Sequence, residues 1–510
     1  MVARARTVAF QGIEAVPVDV QVTMGPGQMG MHIVGLADKA VAESRERVRS
    51  AVHASGLSMP TKRVVVNLAP ADLPKEGSHY DLAIALALMA AMGAVPGEKL
   101  DGYVVMGELG LDGTIAPVAG ALPAAIGANG IGRGLICPHA CGPEAAWAGE
   151  DMDILAPRSL IQLANHFSGA QALSRPVPGV RGRADDLPDM ADIRGQEQAR
   201  RAVELAAAGS HNLLMVGPPG SGKSMLAARL PSILPALAPA ELLEVSMIAS
   251  VAGELGDRDG RAALSDRRPY RAPHHSASMA ALVGGGLRAR PGEVSLAHNG
   301  VLFLDELPEF SPQVLDSLRQ PLESGETVIA RANHRVTYPS RFQLVAAMNP
   351  CRCGHHGEPG HTCRRGQRCA TDYQARISGP LLDRIDLRVD VPSVTALDLI
   401  QPGPSEPSEA VAARVDAARA AQRERYRALG EPILVNAHAS NAVIERVAAP
   451  DAGGAKLLRE AAERMRFSAR AYHRVLKVAR TLADLAGAET VGRVHLAEAI
   501  SYRDAGARLV

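Results

Sequence analysis

Aromatic residues are scarce in this sequence, at 3% of 510 residues, so stacking platforms for single-stranded bases cannot be many. Long apolar runs are missing too. None approaches the roughly 18 residues a membrane span requires, and the opening stretch "MVARARTVAF" lacks the apolar core of a secretory signal. Cysteine numbers only six, which without export points to reduced thiols and a cytoplasmic location. An excess of charge of either sign is also absent: the net charge is +1. That balance excludes nothing about nucleic acid, because basic patches can be local. What the chain does have is length, too much for one core and enough for about three domains.

Two Pro- and Gly-rich stretches, 173–190 and 397–412, read as linkers. Residues 1–172 mix β-rich runs ("EAVPVDVQV", "KRVVVNLAP") with helical ones ("DLAIALALMAAMG"), the pattern of an α+β domain. Residues 191–396 alternate short apolar runs with helical patterns, the rhythm of a parallel α/β domain. Residues 413–510 are dominated by Ala-rich amphipathic patterns and predict a helical domain.

The strongest local signal is "HNLLMVGPPGSGKSMLAARL". An apolar strand runs into Gly217, Pro218, Pro219, Gly220, Ser221, Gly222, Lys223 and Ser224, and a helix follows. This is a phosphate-binding loop in its required context: glycines let backbone N–H groups approach phosphates, and the helix N-terminus adds positive potential. Lys223 would reach the β- and γ-phosphates of ATP, and Ser224 would hold Mg²⁺. "NGVLFLDELPEF" supplies the apolar strand ending in acid that hydrolysis needs, with Asp305 to orient Mg²⁺ and Glu306 to polarise the attacking water. "RFQLVAAMNP" ends in Asn349, placed to sense the γ-phosphate; in isolation, Asn-Pro marks only a turn. "SGPLLDRIDL" offers Arg384, either as a finger for a neighbouring subunit's phosphate or as a helix-end ion pair. Arg470, Arg474 and Arg480 share one predicted helix. Two are expected to be solvated, and one could fold back over the nucleotide.

In order along the chain, these elements resemble an AAA+ ATPase of the magnesium-chelatase-like branch, and within it the ComM/YifB-type competence proteins. "RPYRAPHHSASMAALVGGG", "NGVLFLDELPEF", "AAMNPCRCG", "SGPLLDRIDL" and "SARAYHRVLKVART" carry the likeness, which spans nearly the whole chain. The resemblance implies a homo-oligomeric, hexameric ring that works as an ATP-driven DNA helicase or translocase. It further implies branch migration of recombination intermediates in natural transformation, with recombination proteins as further partners. It assigns Asn349 as first sensor, Arg384 as trans-acting finger, Arg470 as second sensor, and places Gln196 of "DIRGQ" beside the adenine. It makes the C-terminal helices a lid and the first domain Lon-protease-like (S5-like). There the serine position reads His79, with Ser78 one place early, and the lysine position reads Leu122. Without a Lys base a Ser hydroxyl is not activated, so proteolysis is not expected. The rival within the branch is a chelatase motor subunit that drives metal insertion into a porphyrin.

Between Arg331 and Cys369 stand seven arginines and one acid, Glu358. "GETVIARANHRVTYPSRF" reads as a β-hairpin with a polar tip, so Arg331, His334 and Arg335 are candidate DNA contacts; a solvated charged hairpin is the plainer alternative. His274 and His275 are read as loop residues rather than metal ligands. Cys351, Cys353, Cys363 and Cys369 lie in a Gly-, Pro- and Arg-rich insertion, 351–369, too polar for a core. They suit a tetrahedral structural Zn²⁺ site in which one of His355, His356 and His361 could replace a Cys. Cys137 and Cys141 are read as packing residues.

Overall fold

In the segment Glu14–Gly25, Val18, Val20 and Val22 recur at every second position and all are buried, the period of a strand with one face on a core. This strand pairs antiparallel with Val2–Gln11, from Val2 opposite Thr23 to Gln11 opposite Glu14. In the computed structural model, which describes residues 2–36, 38–181, 187–255, 263–286, 289–330, 335–354, 356, 367–394 and 405–504, they form the middle of a seven-stranded mixed sheet. Its order is Gly30–Val34, Arg63–Ala69, Glu14–Gly25, Val2–Gln11, Tyr103–Val105, Gly134–Ile136, Ile154–Leu155. Helix Asp81–Ala91 is apolar nearly all round and buried from Asp81 to Met89, as expected of a helix inside a core. Its one charge, Asp81, accepts from Arg47 Nε at 2.6 Å and from the Leu109 N–H at 3.2 Å.

The second sheet has five parallel strands in the order Tyr270–Arg271, Val301–Leu304, Gln343–Met348, Leu213–Val216, Leu387–Asp390. Three of them, Leu213–Val216, Val301–Leu304 and Gln343–Met348, are buried at every position, as parallel strands covered on both faces must be. The strand that is first in the chain therefore lies between the last two, which creates a crevice at its carboxyl end. That is where open α/β sheets bind ligands.

The C-terminal helices Ser408–Ala428, Asn441–Val447, Ala452–Arg464, Ala469–Leu485 and Arg493–Asp504 share one apolar cluster with helix Glu197–Gly209 and with inner residues of the parallel sheet. Their docking overturns one expectation. Of the three arginines on helix Ala469–Leu485, two are not solvated. Arg480 is 1% exposed, with Nε 3.0 Å from Asp484 Oδ1 and further bonds to the Ala488 and Glu489 carbonyls. Arg474 pairs with the buried Asp386 at the head of strand Leu387–Asp390. Burial works against the Asp386 anion, but Arg474 and His211 outweigh it and hold the carboxyl well below the usual carboxylate range. Arg474 and Arg480 face inward, where carboxylates offset their desolvation, while Arg470 stays exposed.

The expected hairpin is present as Glu326–Ala330 against Arg335–Pro339, antiparallel, with Ala330 opposite Arg335. One face of it packs Val336 and Tyr338 against Ala289, Ile13 and Val251. The first domain touches it closely: a Cβ at Gly12 would sit 2.3 Å from the Thr337 carbonyl oxygen. Among the described residues no helix is long and apolar enough to cross a membrane.

Candidate active site

Strand Leu213–Val216 ends in the glycine-rich loop, and helix Lys223–Ile233 starts from it. Each glycine has a local reason. A Cβ on Gly217 would lie 2.0 Å from the Val391 carbonyl oxygen, while Gly220 and Gly222 have φ of +75° and +86°. Lys223 donates to the Gly217 and Pro218 carbonyls at 2.8 Å each and to Asn349 Oδ1 at 3.3 Å. Burial lowers the pKa of its ammonium; the Asp305 and Glu306 charges act in the other direction. Ser224 Oγ donates to Asp305 Oδ2 at 2.6 Å. These two are the hard oxygen donors that Mg²⁺ takes, so the pair fits that ion. Gln196 donates its amide N–H to the Ser221 carbonyl and, at 3.1 Å, to that of Pro392, so it holds the loop from behind.

Strand Val301–Leu304 delivers Asp305 to this crevice, and Glu306 follows with φ +51° and ψ 48°. A non-glycine residue in the left-handed region costs on the order of 1 kcal/mol or more and persists where the surroundings impose it. The Glu306 carboxylate stays half exposed, and one of its oxygens is 3.6 Å from His275 Nδ1. His275 packs edge-on to the buried Phe310, with ring centroids 6.5 Å apart, and against His274 at 4.1 Å. His275 is a loop residue, as expected, in the turn after strand Tyr270–Arg271. The structure sets it beside the acid, because strand Tyr270–Arg271 runs parallel to Val301–Leu304 and both chains leave the sheet at the same end.

Lys223, Ser224, Asp305, Glu306, Asn349 and Gln196 are thus brought together, whereas Arg384 and Arg470 are not. Arg384 precedes strand Leu387–Asp390, at the amino ends of the parallel strands, and the phosphate loop follows the carboxyl ends. Arg384 Nη2 lies 2.6 Å from Glu323 Oε2, and Arg470 Nη2 lies 3.6 Å from Glu323 Oε1. Arg470 does not fold over the loop of its own chain; it stands beside Arg384 through a shared carboxylate. Glu323 itself carries no sequence signal, being an ordinary acid at a helix end.

Cys351, Cys353 and Cys369 converge, with their sulfurs all within 4.8 Å of one another. Sulfurs about 2.3 Å from one tetrahedral zinc are about 3.8 Å apart, so three soft donors fit Zn²⁺. Cys363 lies outside the described residues. Burial raises the Cys351 thiol pKa. Gly354 abuts the phosphate loop: a Cβ there would be 2.5 Å from Pro219 Cδ. Arg331 and His334 also lie outside the described residues, while Arg335 is exposed on the hairpin. Arg341, counted in the same basic run, instead pairs with Glu244 at 3.5 Å at the other end of the sheet. Cys137 and Cys141 are buried, and Cys141 Sγ donates to the Val118 carbonyl at 3.4 Å.

Three family descriptions match successive parts of the chain. They are subunit ChlI of Mg-chelatase over 18–141, magnesium chelatase subunit ChlI over 189–399, and its C-terminal part over 405–503. Competence protein ComM of Haemophilus influenzae is 43% identical over 502 residues, 97% of this chain and 96% of that protein. YifB of Escherichia coli K12 is 43% identical over 505 residues, 98% and 96% of the two chains. The magnesium-chelatase 38 kDa subunit of Rhodobacter capsulatus is 27% identical over 197 residues, 35% of this chain and 55% of that one. With near-full-length identity at this level, the chain belongs to the ComM/YifB family of magnesium-chelatase-like AAA+ proteins.

Proposed function

We propose that the protein is a ring-forming ATPase that drives DNA translocation or unwinding, and that it acts in branch migration of recombination intermediates during natural transformation.

 The carrying observation is the meeting of Lys223, Ser224, Asp305, Glu306 and Asn349 in one crevice while Arg384 and Arg470 stand at the opposite end of the sheet. Such a division supports a site completed by a second copy, whose arginines would reach the first copy's γ-phosphate. In this reading Glu306 takes a proton from the attacking water, Lys223 neutralises charge on the leaving phosphates, and Ser224 and Asp305 hold Mg²⁺. His275 orients the Glu306 carboxylate, and because it sits in the loop that follows strand Tyr270–Arg271, it would link that loop to hydrolysis.

DNA enters through the hairpin and the relative's name. The Haemophilus influenzae relative is called a competence protein, and the exposed Arg335 beside the basic tip suits phosphate contacts that carry no sequence information. The N-terminal block fits a Lon-protease-like scaffold without peptidase chemistry. Ser78 donates to Glu108, and Leu122 is buried, its N–H given to Glu144 at 2.9 Å. Branched or single-stranded DNA is expected to raise the ATPase rate of the wild-type protein and not that of Lys223→Ala. Stimulation by chelatase partner subunits with none by DNA would replace this reading with the porphyrin-metallating one, whose motor subunit gives the three matched families their descriptions.

Zinc would act as a staple. It would tie the segment after Asn349 to helix Gln367–Gln374, which carries Cys369, and so keep Gly354 against Pro219 of the phosphate loop. The purified protein is expected to contain one zinc per chain, and Cys351→Ser with Cys353→Ser to lose both the metal and much of the ATPase rate. Metal analysis that finds no zinc in the active wild-type protein rules the staple out.

A further inference from the structure

A cleft of about 1260 Å³ opens between the parallel sheet and the C-terminal helices. Neither Lys223 nor Asp305 lines it. Its walls come from the segments just before the strands, such as Asn299, Gly300 and Phe342, and from helices Ser408–Ala428 and Ala469–Leu485. It is therefore at the amino ends of the strands, across the sheet from the crevice described above, and Arg384 is not among its lining residues.

The cleft's charge is unbalanced. Four of its cations have carboxylate partners: Arg268 with Glu241, Arg341 with Glu244, Arg470 with Glu323 and Arg474 with Asp386. Three others, Arg419, Arg423 and Lys477, have no carboxylate within ion-pair distance among the described residues, although Asp416 also lines the cleft and acts on Arg419 from farther away. Arg419 is 6% exposed and its guanidinium bonds only to the Ala207 carbonyl, at 2.9 and 2.6 Å. Lys477 donates to the Ala437 carbonyl at 2.9 Å. A carbonyl dipole does not neutralise a desolvated cation. Burial, then the Arg268 charge, brings the Arg419 pKa down to about 9. His438 keeps contact with the solvent of the cleft, yet desolvation, followed by the charges of Arg419, Lys477 and Arg341, lowers its pKa to about 4. The cations share this one cleft closely enough that Arg419, Lys477 and Arg341 all act on His438 and Arg423 acts on Arg419, and Phe342 is the one aromatic among the described lining residues apart from histidines.

We propose that this cleft is a second anion site, which takes a compact phosphate chain, either free polyphosphate or the triphosphate tail of a nucleotide, through Arg419, Arg423 and Lys477 and without stacking on a base. The convergence favours a compact, multiply charged anion over an extended nucleic-acid strand, and paired phosphate oxygens suit the guanidinium fork.

The test uses the full chain carrying Lys223→Ala, which removes the phosphate loop's own affinity, with tripolyphosphate as the probe in isothermal titration. One site per chain is expected. Adding Arg423→Gln and Lys477→Gln should weaken it by at least about tenfold, the scale of a lost charge-assisted contact. Arg423 is exposed, so Arg423→Gln alone gives a weakening that does not depend on refolding of the interior. Displacement of the probe by ATP identifies a nucleotide tail as the natural source, and failure of ATP to displace it identifies free polyphosphate. Absence of tripolyphosphate binding, equal affinity in the substituted chains, or binding of a thymidine oligonucleotide in place of tripolyphosphate overturns the proposal. The proposed function fails separately: ATP affinity that is unchanged by Lys223→Ala in the parent chain counts against the phosphate loop and not against the cleft.

Discussion

Glu306→Gln is expected to lower the ATP turnover number by about a thousandfold and to leave ATP affinity near that of the wild type, the effect of removing a positioned general base. The asymmetry follows from the geometry. Contacts that would hold the phosphates come from Lys223 and the loop amides, and those for Mg²⁺ from Ser224 and Asp305; Glu306 takes part in neither. Its substitution keeps shape and removes only the proton acceptor, so nucleotide stays bound and unreacted. Single-turnover kinetics together with equilibrium nucleotide binding separate the two effects. A loss of less than about tenfold would be too small for a general base, and a matching loss of affinity would make the residue structural. In the same assay His275→Ala should lower the turnover number by a smaller factor with affinity unchanged, since it acts on Glu306 across 3.6 Å and not on the nucleotide.

Arg384→Ala is expected to cost a similar factor, about a thousandfold, the lower end of what an arginine finger contributes. What singles out a finger supplied by a neighbour is complementation. Neither Arg384→Ala nor Glu306→Gln chains should hydrolyse ATP alone. Mixed in equal amounts, they form interfaces that join an intact Glu306 from one chain to an intact Arg384 from the other, and activity should return. Arg384 sits at the amino ends of the strands with Glu323 at 2.6 Å, and the loop of its own chain lies beyond their carboxyl ends, so no such rescue is expected of a residue acting within one chain. A mixture as inactive as its components would assign Arg384 to the plain ion pair with Glu323.

The phosphate loop, the acid pair and Asn349 were legible in the sequence because each is a local device: an apolar strand that ends in residues whose spacing alone aims them at a common crevice. The parallel α/β core was legible for the same reason, since continuous apolar runs such as "LLMV" and "VLFL" are buried on both faces. The hairpin was legible from its β-branched runs around a polar tip.

Other features were decided across long stretches of chain. Arg384 and Arg470 meet at Glu323, 61 and 147 positions away from it respectively. His275 reaches Glu306 only because two strands leave the sheet side by side. That two of Arg470, Arg474 and Arg480 would be solvated does not hold for Arg474 and Arg480, because amphipathic spacing says which residues share a helix face and not what covers that face. Charge shows the contrast most clearly. By itself the sequence determined a near-neutral chain with a nucleotide engine in its middle. Only the tertiary structure decided which of its cations are matched by carboxylates and which, like Arg419 and Lys477, are desolvated without one, because ion pairing depends on distances of a few ångströms between residues that sequence order leaves far apart.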